Sequence, residues 1–101
     1  MMNPEMLTGK QRRFLRGLGN TLKPIVFVGQ QGVTEAVIEA IETAFNAHEL
    51  VKIKLQQSVL DDRREVGERL AQATQSHLVQ VLGRTILLYR RHPEKPQIEL
   101  P

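Results

Sequence analysis

Apolar residues recur at spacings of three and four from Val33 to Phe45, at Val33, Ala36, Val37, Ala40, Ile41, Ala44 and Phe45, while Glu35, Glu39 and Glu42 occupy the opposite side. The pattern predicts an amphipathic helix, capped by Thr34. Immediately before it, Ile25, Val26, Phe27 and Val28 follow Pro24 and stop at Gly29, which reads as a short buried strand. Strand and helix are joined by the tight loop Gly29-Gln30-Gln31-Gly32.

Elsewhere the periodicity is equally directive. Thr8 caps a helix through GKQRRFLRGLGN, with Leu7, Phe14, Leu15, Leu18 and Leu22 on its apolar side. Gly17 and Gly19 weaken its end, and Lys23-Pro24 closes it. His48 and Glu49 end the second helix. From Leu50 to Leu55 the residues alternate, Val51, Ile53 and Leu55 against Lys52 and Lys54, predicting a half-exposed strand with a basic outer side. Gln56 to Leu60 form a connection, and Asp61-Asp62 open a third helix, DDRREVGERLAQATQS, with a narrow stripe of Val66, Leu70 and Ala73. Leu78 to Leu82 and Thr85 to Tyr89 flank Gly83-Arg84 as a β-hairpin. Residues 1 to 6 read as a loose end. The proline-rich segment 92 to 101 reads as an extended tail, with Ile98 and Leu100 placed to lie on the sheet edge.

The expected fold is therefore α/β in two layers, α-β-α-β-α-β-β, with a four-stranded mixed sheet. The second and third helices share one face. The other face is left to the first helix, because the first, third and fourth strands are apolar on both sides.

Composition narrows the class. A chain of 101 residues, 41% hydrophobic, suits one domain, here residues 1 to 91 followed by the tail. No apolar run approaches membrane-spanning length, and MMNPEMLTGKQRRF lacks the apolar core of a signal peptide, so a cytoplasmic protein without a membrane partner is expected. The absence of cysteine excludes disulfides and thiolate chemistry. A formal charge of +3 and a pI near 9.7 favour a polyanionic partner.

The distribution of charge sharpens this. Lys10, Arg12, Arg13 and Arg16 have no acidic neighbour, and Lys52, Lys54, Arg84, Arg90 and Arg91 lie on or beside strands, as phosphate-facing cations would. Arg63, Arg64 and Arg69 are interleaved with Glu65 and Glu68 and read as a solvated face. The loop glycines permit positive φ and close approach of a ligand, and the following helix start favours anions. The spacing is not that of a nucleotide P-loop, and Gly17-Leu18-Gly19 follows a helix rather than a strand, which excludes a dinucleotide fingerprint. His48, His77 and His92 sit on separate elements without metal spacing, and no nucleophile-base arrangement stands out. Neither a cofactor nor catalysis is expected. Only Tyr89 and three phenylalanines are aromatic, the phenylalanines reading as core, which points to recognition of backbone and shape.

Taken together, LTGKQRRFLRGLGNTLKPIVFVGQQGVTEAVIEAIETAFNAHELVKIKL and VQVLGRTILLYRR resemble the CRM domain family in its stand-alone, YhbY-type form, over about Leu7 to Arg91. The resemblance implies a fold like the C-terminal domain of translation initiation factor three. It also implies RNA binding and association with precursors of the large ribosomal subunit; related plant domains serve organellar intron splicing. Gly29-Gln30-Gln31-Gly32 is similar to the KH-domain loop that clamps single-stranded RNA backbone. That loop usually holds a basic residue where this chain has glutamines, so neighbouring cations are expected to supply the charge. The expected RNA-binding set is Gly29, Gln30, Gln31, Gly32, Lys10, Arg12, Arg13, Arg16, Lys52, Lys54 and Arg84, on a monomer without a small-molecule substrate. Two rival readings are a protein adaptor with a basic surface and a small phosphate-handling enzyme.

Overall fold

The computed structural model describes residues 6–101, so most of the amino-terminal end read as loose lies outside the described residues. The elements run α1 (Gly9–Gly19), β1 (Val26–Val28), α2 (Glu35–Ala47), β2 (Leu50–Leu55), α3 (Arg63–Thr74), β3 (His77–Leu82) and β4 (Thr85–Tyr89). This is the expected order. Each of the three helices among the described residues begins at an oxygen-bearing side chain that accepts from the first turn: Thr8 from Gln11 N–H, Thr34 from Val37 N–H and Asp62 from Glu65 N–H. At Thr8 the Gln11 side chain returns the bond at 3.0 Å, completing a capping box.

The sheet order is β1-β2-β4-β3, with β1 parallel to β2 and the other pairs antiparallel. Val26, Val28, Val51, Ile53, Leu55, Ile86 and Leu88 point to one face and pack with Ile41 and Phe45 of α2 and Val66, Leu70 and Ala71 of α3. Ala73 is exposed, and the buried stripe of α3 runs instead through Gly67, Ala71 and Thr74. The close approach explains the shift: a β-carbon on Gly67 would meet Leu78 at 3.0 Å, so α3 is rolled until its glycine faces β3.

The opposite face holds a second, smaller core of Leu15, Leu50, Val79, Leu87 and Tyr89. Gly19 lets the end of α1 settle there, since a β-carbon would stand 2.5 Å from a Leu87 methyl. α1 touches β2, β3 and β4 but makes no substantial contact with β1. Cover of this face is thus incomplete, and the expectation that β1 is buried on both sides fails at Phe27, which is 56% exposed. Phe14 is exposed as well, so of the three phenylalanines only Phe45 is core.

Ile98 and Leu100 add no strand to the sheet edge; they pack beside Leu7 on the second core. Glu49 holds the tail there. It belongs to neither helix nor strand and is 4% exposed, and its carboxylate accepts backbone N–H groups of His92 (2.7 Å), Gln97 (2.8 Å) and Ile98 (2.7 Å). An isolated carboxylate would not be buried at such a place without these donors.

α3 ends at Gln75 with φ 52° and ψ 46°, the left-handed conformation that a side chain resists. Gln75→Gly should stabilise the fold by about 0.5–1 kcal/mol, seen as a higher urea midpoint at unchanged slope.

Candidate nucleic-acid interface

The glycine loop lies where β1 ends. Gly32 N–H donates to Gly29 C=O at 2.9 Å, closing a four-residue turn whose tip is the exposed pair Gln30-Gln31. Gly32 is buried at φ +74°; Gly29 does not need positive φ. Gly29 is instead a position of close packing, a β-carbon there standing 3.1 Å from Gln56 Oε1. Gln56 N–H bonds Val28 C=O at 2.9 Å, Arg84 Nη1 donates to Gln56 C=O at 3.1 Å, and Leu55 N–H bonds Arg84 C=O at 2.8 Å. Three turns are thereby locked into one end of the sheet. Asp61 is also there, its carboxylate 3.8 Å from where a Gly32 β-carbon would be, an acidic neighbour that sequence spacing did not reveal.

From this end a row of mixed polar and apolar side chains crosses the α1-side face. Register pairs Phe27 with Lys54, Lys54 with Thr85 and Thr85 with Leu82, so these four side chains share one face. Lys54 is exposed, and so are Phe27 at 56% and Leu82 at 61%. Lys52, half-buried, stands one step along β2 beside Ile25, whose N–H donates to Lys52 C=O at 3.0 Å. Sequence reading missed Phe27. Its signal was present as strict alternation: with Val26 and Val28 inward, the residue between them must point out, and an edge strand beyond the reach of α1 leaves it bare.

The first-helix cations divide. Lys10 and Arg13 are exposed, and Arg16 lies beside Arg64 and Glu68 along a groove between α1 and α3 of about 610 Å³. Arg12 is engaged internally: Nη1 donates to Leu78 C=O at 2.5 Å and reaches Val79 C=O at 3.4 Å, at the bulge of edge strand β3. Arg90 is likewise occupied, bonded to Thr74 C=O at 2.8 Å, paired with Glu42 at 3.0 Å and stacked 4.5 Å over the Phe45 ring. It ties β4 to both helices of the main core rather than facing solvent phosphate. Arg63 donates to Gly83 C=O at 3.1 Å, bracing the hairpin turn.

The three histidines have local roles. His77 stacks on Tyr89 at 6.0 Å, and burial together with the Arg12 charge lowers its pKa from the ordinary 6.5. His92 Nδ1 accepts the N–H groups of Glu94 and Lys95, and His48 is the exposed cap of α2. Burial raises the pKa of Tyr89, with the Glu49 charge acting in the same direction.

A four-stranded mixed sheet flanked by three helices, with a glycine turn, Lys54 and an uncovered aromatic ring toward one end, defines a small α/β domain. Residues 7–90 match the model of the CRS1 / YhbY (CRM) domain, and the chain belongs to that family. It is 46% identical over 96 residues to "Probable RNA-binding protein YqeI" of Bacillus subtilis, covering 95% of this chain and 100% of that one. It is 40% identical over 88 residues to "Probable RNA-binding protein PA4753" of Pseudomonas aeruginosa, covering 87% and 85% respectively. The solution structure of the Staphylococcus aureus protein SAV1595 is similar at a TM-score of 0.82 and 44% identity, covering 95% of this chain and 100% of that structure.

Proposed function

We propose that this protein binds RNA through the Gly29–Gly32 turn and the cations around it, and that it acts in the cytoplasm, as a monomer and without catalysis, on precursors of the large ribosomal subunit. The observation that carries the RNA reading is the junction of three turns, which holds an exposed backbone tip beside Arg84 and Lys54. Two relatives that bear the name probable RNA-binding protein, each matched over most of its length, support it. The ribosomal assignment rests on the family resemblance and is tested by crosslinking in cells and sequencing the attached RNA. Recovery of large-subunit precursor RNA is expected; enrichment of unrelated transcripts alone overturns it.

The cation set offered to phosphate is Lys10, Arg13, Arg16, Lys52 and Lys54, joined by Arg84, one of whose guanidinium nitrogens is taken by Gln56 C=O, while Arg12 is held by the β3 carbonyls. Affinity for a single-stranded RNA should therefore fall with salt. Replacing Lys10, Arg13 and Arg16 together by glutamine should reduce the slope of log K against log salt by about 0.7 per lost contact, with similar loss on unrelated sequences. Salt-independent binding in a fluorescence-anisotropy titration would contradict the electrostatic account.

A further inference from the structure

We propose that Phe27 is a stacking platform for an unpaired nucleobase of single-stranded RNA, seated while the adjoining backbone phosphate meets Lys54. The ring projects from an edge strand onto a face that α1 leaves open, two residues before Gly29. Lys54 is its register partner, the two backbones about 5 Å apart across the ladder, so ring and ammonium rise from one patch of the same face.

The surroundings favour an unpaired strand over a duplex. Along α1, at about 100° per residue, Arg12 and Arg16 lie on one flank of Leu15 and Phe14 and Leu18 on the other. Because Arg12 reaches β3, the Phe14 and Leu18 flank looks toward β1. Phe14, Leu18, Leu22, Ile25 and Phe27 are all exposed, and Ile25 and Phe27 stand beside Lys52 and Lys54 across the β1–β2 ladder. Only an unstacked base has a bare π face to place against the exposed Phe27 ring; in a helix that face is already covered. The lysine floor favours a polyanion over an apolar peptide.

This inference rests on the RNA-binding reading, and the test separates the two. Labelled single-stranded RNA, the same strand as a duplex, and a strand with abasic sites are titrated at fixed salt against the parent protein, Phe27→Ala, Phe27→Tyr and Lys54→Gln. Phe27→Ala should weaken the single strand about 5- to 100-fold without altering the salt slope, while Phe27→Tyr retains binding. The parent should lose affinity for the abasic strand by a similar factor. Lys54→Gln should weaken intact and abasic strands alike and lower the salt slope by about 0.7. If Phe27→Ala binds the single strand as the parent does while Lys54→Gln is impaired, RNA binding stands and the stacking role is overturned. If the parent binds no RNA, both readings fall.

Discussion

Glu49→Gln should lower stability by about 2–4 kcal/mol and release the tail from the second core. The carboxylate accepts three backbone N–H groups, Oε1 from Gln97 and Ile98 and Oε2 from His92. Glutamine keeps one acceptor oxygen and turns an NH₂ group toward donors that are already N–H, so at least one buried pair becomes donor against donor. Hydrogen bonds to a charged acceptor contribute about 1.5–3 kcal/mol each, which makes this one of the costliest conservative changes available. Thermal unfolding should show a fall of about 10–25 °C, and hydrogen exchange should show loss of protection at Gln97 and Ile98. Retained protection at those two amides would refute the clamp.

The same residue sets an acid limit. Burial pushes the Glu49 carboxyl up, but the three backbone donors and the nearby His92 outweigh it and leave the pKa below its ordinary 4.5. A carboxyl depressed in the folded state stabilises above its unfolded pKa and loses that contribution as pH falls through the folded value. His77, also depressed, binds its proton first in the unfolded chain, so stability begins to decline below about 6.5. Denaturation curves from pH 8 to 3 should show both declines in the parent; Glu49→Gln should keep the His77 decline and lose the lower one.

Placing acids at the turn tip, Gln30→Asp with Gln31→Asp, should separate binding from folding. Each carboxylate about 6 Å from a phosphate costs about 1 kcal/mol at an effective dielectric near 50, so RNA affinity should drop about ten- to fifty-fold. Stability should move by no more than about 0.5 kcal/mol, because both side chains are exposed and the start of α2 tolerates acids. Gly32→Val is the contrast. At φ +74° a β-branched residue is strained by about 1–3 kcal/mol, so this variant should lose stability together with binding. A double-aspartate protein that binds RNA as the parent does would reduce the loop to a plain turn.

The elements and their order were legible because each rests on local signals: period, caps and the Gly83 turn, which takes φ +57°. The loop was legible as a motif, though its packing against Gln56 and Asp61 depends on contacts far apart in the chain. What one sequence hid was partnership. Arg12 and Arg90 look like solvent cations until the fold brings backbone carbonyls to them. Glu49 looks like the polar end of a helix until a segment more than 40 residues later supplies its donors. Phe27 looks like core because hydrophobicity says that a residue prefers burial, while only topology says whether a neighbour arrives to cover it.

Arg12 has a bearing on how the protein behaves at high local concentration. β3 closes one side of the sheet, and its bulge carries a guanidinium across two successive carbonyls. A second molecule extending the sheet there would have to evict a charged group from its bonds before gaining any of its own, and would meet a kinked rather than a straight template. Growth of the sheet from one molecule to the next is therefore disfavoured at the β3 edge.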